Sequence, residues 1–210
     1  PTEAKKLLFS VAVTEGVGYK RSLKKLGMKL DFIDIKRAYF HAEARRELYV
    51  DIPKEDPEWT PDVVGRLTLA LYVTRDAAML WQDCVAKHLV SIGCVRGKSN
   101  PCVYYDKSRG LRTLVHGDDF SSEGSSREMK WLRLTLEARF EISTKVVGRG
   151  PGMVSEARLL NRIIRRTDDG WEYEADQRHA EVIVKQRNLG SDSRSVSSPG
   201  QKNVEPDGDD

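Results

Sequence analysis

With 210 residues, 39% of them apolar and 32% charged, the chain is long enough for one large domain or two small ones and too rich in apolar side chains to be a disordered polymer. A net charge of +3 names no partner, and three cysteines (Cys84, Cys94 and Cys102) with no close pair exclude a disulfide framework and C-x-x-C zinc spacing, which points to a reducing, intracellular setting, cytoplasmic or nuclear. Apolar stretches such as 7–13 are far too short to cross a bilayer, no signal peptide opens the chain, and a start at Pro1 reads as a piece of something longer or a processed product.

In chain order, Ala4, Leu7, Leu8 and Val11 recur at helical spacing and predict a helix over 3–14. A basic stretch follows, with Lys20, Arg21, Lys24, Lys25 and Lys29 within ten residues that hold no acid. Residues 30–35 read as a buried strand, and Leu48, Val50 and Ile52 as a strand that Pro53 ends. Leu67, Leu69 and Leu71 alternate as a third. A long helix over 74–92 places Ala77, Trp81, Cys84, Val85, Leu89 and Ile92 on one face, with Gly93 as its C-terminal cap. Strands are expected at 102–106 and 111–116, then a tight bend at His116–Asp119. Ser125 and Glu128 have capping-box spacing ahead of a helix over 126–138. Asp168-Asp169-Gly170 marks a hairpin between 160–164 and 171–173, and Asp176 caps a last helix ending near Gly190. The pattern is α+β, a sheet built largely from hairpins and covered by helices.

Chemistry concentrates in two acidic segments. Asp34 is flanked by Ile33 and Ile35, a charge held on a half-buried strand, and Asp118-Asp119 comes after His116-Gly117 at a bend. Adjacent carboxylates repel and turns rarely need more than one, whereas a divalent cation needs hard oxygen ligands and neutralises the repulsion. Three acids on two strand-like segments are the minimum kit for metal-assisted phosphoryl transfer. Arg162, Arg165 and Arg166 form a second basic cluster, for which solvated surface is the ordinary reading. Tyr39 is equally open between core packing and contact with a ligand. His88 and His179 lack ligand spacing and are expected on a helix surface or start; His116 and Cys102 are expected to be structural.

Several segments together resemble the reverse transcriptase of copia-type LTR retrotransposons. Ile33-Asp34-Ile35-Lys36-Arg37-Ala38-Tyr39-Phe40-His41-Ala42 is similar to that family's first catalytic motif, and Glu47-Leu48-Tyr49-Val50-Asp51-Ile52-Pro53 to the segment just downstream of it. Ala70-Leu71-Tyr72-Val73-Thr74-Arg75-Asp76-Ala77-Ala78 with Trp81 resembles its Leu-Tyr-Gly…Ala-Pro…Trp segment. Ser99-Asn100-Pro101-Cys102-Val103-Tyr104 is similar to its Ser-Asp-Pro-Cys-Val-Tyr, and 114–120 stands where its aromatic-x-Asp-Asp hairpin stands. The likeness runs in order over about residues 1–190.

The resemblance implies a polymerase palm-like fold and an RNA-directed DNA polymerase. Asp34 and Asp118 would hold two Mg2+ ions (Mn2+ could serve), with Asp119 the adjacent carboxylate and Ile35 offering its backbone carbonyl. Ala38, Tyr39 and Val73 would line the nucleotide, Tyr39 excluding a 2′-hydroxyl by bulk. Lys24, Lys25, Arg162 and Arg165 would contact the template–primer duplex, and Lys145 is a further candidate for protonating pyrophosphate. Its partners would be an RNA or DNA template–primer and deoxynucleoside triphosphates. The implied organisation is palm and partial fingers over 1–145, a primer-grip-like hairpin and start of thumb over 146–190, and a disordered tail over 191–210. The rest of the fingers, a ribonuclease H and an integrase would belong to a longer polyprotein.

The chain also departs from that pattern. Val73 stands where the family has glycine, so a branched side chain is expected to crowd the pocket; Met79 and Leu80 replace polar or basic residues, and His116-Gly117 replaces aromatic-x. The alternatives are a degenerate remnant that binds nucleic acid without polymerising, and a metal-dependent nuclease or cyclase on a palm-like sheet. In the latter, Tyr39 and the 160–173 hairpin would have no purpose.

Overall fold

A computed structural model describes residues 2–14, 29–148, 150–159, 162–167, 171–174, 177–190 and 192–194. The chain divides into two compact units, 1–173 and 174–210. In the first, the described elements begin with α1 (Thr2–Thr14), β1 (Lys29–Ile35), a 3-10 turn at Ala38–His41, and a small hairpin of β2 (Tyr49–Asp51) and β3 (Val64–Arg66). Then come α2 (Ala77–Ser91), β4 (Val95–Arg96), β5 (Val103–Asp106), β6 (Leu111–His116), β7 (Asp119–Gly124), α3 (Ser126–Glu137) and β8 (Ile142–Val147). A three-stranded sheet of β9 (Glu156–Leu159), β10 (Arg162–Arg166) and β11 (Trp171–Glu174) completes it.

Six strands make the main sheet in the order β4-β5-β6-β7-β1-β8, with every neighbouring pair antiparallel. The protein is thus mixed α+β with a mostly antiparallel sheet, as the pattern of hairpins and amphipathic helices predicts. β1 lies inside the sheet, covered on both faces, which is why Leu30, Phe32, Ile33 and Ile35 are all buried. On one face Ile33, Ile35, Leu111, Val115 and Phe120 pack against Trp81, Val85 and Leu89 of α2 and Met129, Leu132 and Leu136 of α3. Each such side chain contributes about 1.5–3 kcal/mol by leaving water. On the other face Leu30 and Phe32 meet Phe9 and Ala12 of α1, together with Val147, Ala157 and Ile164. Asp34 comes after Phe32 in the two-residue alternation, so it belongs to this second face.

Local signals explain most boundaries. Ser125 Oγ accepts from the Glu128 N–H at 3.4 Å and starts α3. α2 stops where Gly93 takes φ +99°, a left-handed conformation that costs glycine nothing. It begins at Ala77 rather than 74, because Leu71–Thr74 closes a turn in which Thr74 N and Oγ1 both donate to the Leu71 carbonyl.

That turn also removes the strand expected from Leu67, Leu69 and Leu71. The strand forms earlier, at Val64–Arg66, and Leu69 keeps only an isolated bridge to Glu43. The buried face of α1 is rotated from its expectation: Ala4, Lys5, Leu8, Phe9 and Ala12 face inward while Leu7 is 62% exposed. His88 is not a surface residue but is buried, its ring edge-on to Phe140 at 5.3 Å. The boundary expected at 145/146 falls inside β8.

In the second unit, α4 (Gln177–Gln186) carries exposed Val182, Ile183 and Val184, and His179 is exposed. Asp176 and, apart from 192–194, the tail expected from 191 lie outside the described residues. Among the described residues no helix is long and apolar enough to cross a membrane. All three cysteines are free, as their spacing implies.

Candidate metal centre

β1 and β7 run antiparallel with Asp34 directly opposite Asp119, so both carboxylates rise from the same face of the sheet. Asp118 is delivered by the turn that joins β6 to β7. His116 pairs with Asp119, leaving Gly117 and Asp118 as the two central residues of a tight hairpin. Gly117 has φ +65°, the left-handed conformation that a II′ hairpin turn needs at its first central position. The Ile35 N–H then donates to the Asp118 carbonyl at 3.0 Å, which stitches the turn to β1.

These constraints gather one carboxylate oxygen each from Asp34, Asp118 and Asp119 to within 4.8 Å of one another. Asp34 is exposed, and Asp118 and Asp119 are half-buried. Like charges at that separation repel by roughly 1–3 kcal/mol per pair, depending on how much water screens them. The strain is visible at Asp119, whose pKa is raised above the ordinary carboxylate value by burial first, then by Asp118 and Asp34. The charges of Lys5 and His116 pull it the other way.

Two residues that sequence reasoning did not assign support this cluster. Trp81 of α2, only 1% exposed, donates its indole N–H to the Gly117 carbonyl at 2.7 Å and so pins the turn that carries Asp118. Lys5 of α1 is 3% exposed, its amine has no hydrogen-bond partner among the described residues, and burial lowers its pKa while the charge of Asp119 raises it. Neither role has a local signal, since each depends on which helix packs over which end of the sheet. β8 has no clear signal either: Ile142, Val146 and Val147 are too few to announce a strand, yet Ser143 sits opposite Asp34 and its hydroxyl donates to that carboxylate at 3.5 Å.

The remaining expected site residues occupy varied positions. Ile35 is buried, tied through its N–H to the β6–β7 turn. Ala38 is fully buried, so its methyl belongs to the core. Tyr39 packs partly into two core clusters with its ring 4.4 Å from that of Tyr72. Val73 packs against no other described residue of the protein: it is 103% exposed and its φ is +73°. Lys145 is exposed on β8 opposite Phe32, on the same face as Asp34.

Arg162 and Arg165 lie on β10, away from the acids in sequence and in a separate sheet. Arg162 stands over the Tyr173 ring at 5.9 Å, while Arg165 forks between Glu156 at 3.0 Å and Glu172 at 3.1 Å. The expected hairpin between β10 and β11 is present, although its tip at 168–170 lies outside the described residues. So do Lys24 and Lys25, with the basic stretch that holds them. No protein-family model matches this chain, and no curated protein matches it.

The donor set fits a hard divalent cation. It offers only carboxylate oxygens, it is mutually repulsive without positive charge, and its oxygens are close enough to share ions.

Proposed function

We propose that the chain is the palm-like core of a copia-like reverse transcriptase, which adds deoxynucleotides to a primer 3′-hydroxyl. The convergence of Asp34 from β1, Asp118 from the β6–β7 turn and Asp119 from the start of β7 carries this reading. It agrees with the order of motifs along the sequence, in which a strand acid, a long helix and a hairpin with paired acids succeed one another.

In this reading Asp34 and Asp118 hold the ions and Asp119 adds negative charge beside them. Magnesium, when bound, lowers the pKa of the attacking hydroxyl and neutralises the leaving phosphates. The chain's own contribution is position. β1 and β7 fix two carboxylates by cross-strand register, Trp81 holds the turn that fixes the third, and Ser143 orients Asp34. Tyr39 lies beyond the end of β1, its ring set against Tyr72, where its bulk would select a sugar lacking a 2′-hydroxyl. Basic residues of the 20–29 stretch and of β10 would grip the duplex backbone without reading sequence.

Primer extension on RNA and DNA templates tests the proposal, with Asp118→Asn as the inactive control. Incorporation that requires divalent metal and disappears in Asp118→Asn is the expected result; no incorporation by the wild-type chain, supplied with the remainder of its polyprotein, would reject it. A second reading, a remnant that grips nucleic acid without polymerising, draws on Val73, a branched residue in a backbone conformation suited to glycine. Salt-sensitive duplex binding without incorporation would favour it.

A further inference from the structure

One group of charges beside the acids has no part in the proposed polymerase chemistry. The ladder that pairs Asp34 with Ser143 and Ile35 with Ile142 continues one step, where the Lys36 N–H donates to the Glu141 carbonyl at 2.8 Å. Opposed residues share a face, so Lys36 and Glu141 emerge on the side that carries Asp34, two residues and about 7 Å along the strand. There the Glu141 carboxylate takes two cations at once. Lys36 Nζ lies 2.7 Å from one oxygen and the Arg37 guanidinium 2.7 Å from the other.

Lys36 and Arg37 are more than half exposed and Glu141 is 47% exposed, so the trio lies at the surface rather than in the core. Arg37 is held at φ 53°, ψ 39°, a left-handed conformation that an arginine adopts at a cost, and the Lys36 carbonyl is fixed in turn by His41 Nε2 at 3.2 Å. The loop is therefore built to present two cations side by side. Their tie to Glu141 is weak, because exposed ion pairs are worth only about 0.2–1 kcal/mol each. A polyphosphate offers more charge than one carboxylate and suits the planar guanidinium better.

We propose that Lys36 and Arg37 receive the outer phosphates of a polyphosphate substrate seated at the acidic cluster, and that Glu141 is an internal stand-in anion which the phosphate displaces. This rests on the polymerase reading and specifies the substrate end that the described residues would hold. The exchange is one of ion pairs only. The Glu141 carboxylate swings into water as phosphate oxygens take over its two partners, so Glu141 lowers affinity for the polyphosphate by competing for the same cations.

The test is equilibrium binding of inorganic tripolyphosphate in the presence of Mg2+, with Mg2+ alone titrated in parallel. Relative to wild type, Glu141→Gln should bind tripolyphosphate about threefold to tenfold more tightly, the equivalent of two released surface pairs. The double variant Lys36→Met, Arg37→Met should bind it at least tenfold more weakly. Circular dichroism on each variant checks that the fold is intact. Unchanged or weaker binding in Glu141→Gln, wild-type affinity in the double variant, or no tripolyphosphate binding by wild type would each overturn the proposal. Tripolyphosphate binding that Mg2+ does not strengthen, and that Asp118→Asn does not weaken, would instead count against the polymerase reading, so the two failures are told apart.

Discussion

The indole N–H of Trp81 and the carbonyl of Gly117, 2.7 Å apart, tie α2 to the turn that presents Asp118. The bond reaches across 36 residues and leaves from a side chain that is 1% exposed, so helix packing and acid placement are mechanically one. Trp81→Phe keeps an aromatic ring in the core but removes the donor. We expect a loss of about 1–3 kcal/mol from the broken bond and the smaller ring. A several-fold weaker affinity for Mn2+ should accompany it, since the turn is freed. Chemical denaturation and metal titration on the same samples check both; a destabilised variant with unaltered metal affinity would disconnect Trp81 from the site.

The acids should also show a reversal of sign. Without metal, Asp118→Asn removes a charge from a repulsive cluster and should stabilise the fold by on the order of 1 kcal/mol. With excess Mn2+, wild type gains stability by ligand linkage, and the variant should gain little. The two denaturation curves therefore cross between EDTA and metal. Acidification should weaken wild-type metal binding, because the pKa of Asp119 is raised by burial, Asp118 and Asp34, and its proton competes with the ion. A variant less stable than wild type in EDTA would argue that Asp118 holds the turn together rather than straining it.

How legible the structure is in the sequence differs by element. Asp34, Asp118 and Asp119 are legible because each sits in a local pattern: an acid between isoleucines, or a glycine and paired acids between two β segments. α2 and α3 are legible from period and caps. The hidden features depend on long-range packing. Trp81 reads as one more apolar position of a helix, and its donor role exists only once α2 lies under the β6–β7 turn. Lys5 breaks the apolar face of α1, and nothing nearby in sequence says that Asp119 is across from it. The leucines at 67, 69 and 71 mislead because alternation alone does not reveal whether a neighbouring strand exists to accept the ladder.

Asp31 makes a pH prediction. It is fully buried on β1, neither oxygen accepts a hydrogen bond from the described residues, and the Arg133 guanidinium stands 3.7 Å away. Burial raises its pKa to about 6, against the partial relief of Arg133. A raised carboxyl pKa means that the folded state holds a proton the unfolded state has already released. Stability from this group is therefore full below about pH 4 and is lost as pH climbs through about 6, on the order of 3 kcal/mol in all. Asp31→Asn should remove that slope and be the more stable protein at pH 7.5, as measured by urea denaturation at pH 5 and 7.5. Equal pH slopes in the two proteins would show that Asp31 is ionised in both states across this range.

Val73 tests whether a strained backbone or a crowding side chain sets that turn apart. Its side chain is fully exposed, so there is no packing to relieve, but its φ of +73° places a β-branched residue where only glycine is comfortable. The left-handed conformation costs roughly 1–2 kcal/mol. Glycine regains this but gives back about 0.5–1 kcal/mol through a freer unfolded chain. Val73→Gly should therefore stabilise the fold by about 1 kcal/mol, Val73→Asn by less, and Val73→Ala hardly at all, since alanine keeps a Cβ at the same dihedral. Urea denaturation of the three variants gives the order. Alanine matching glycine would mean that side-chain bulk, not the backbone, is the source of strain at this position.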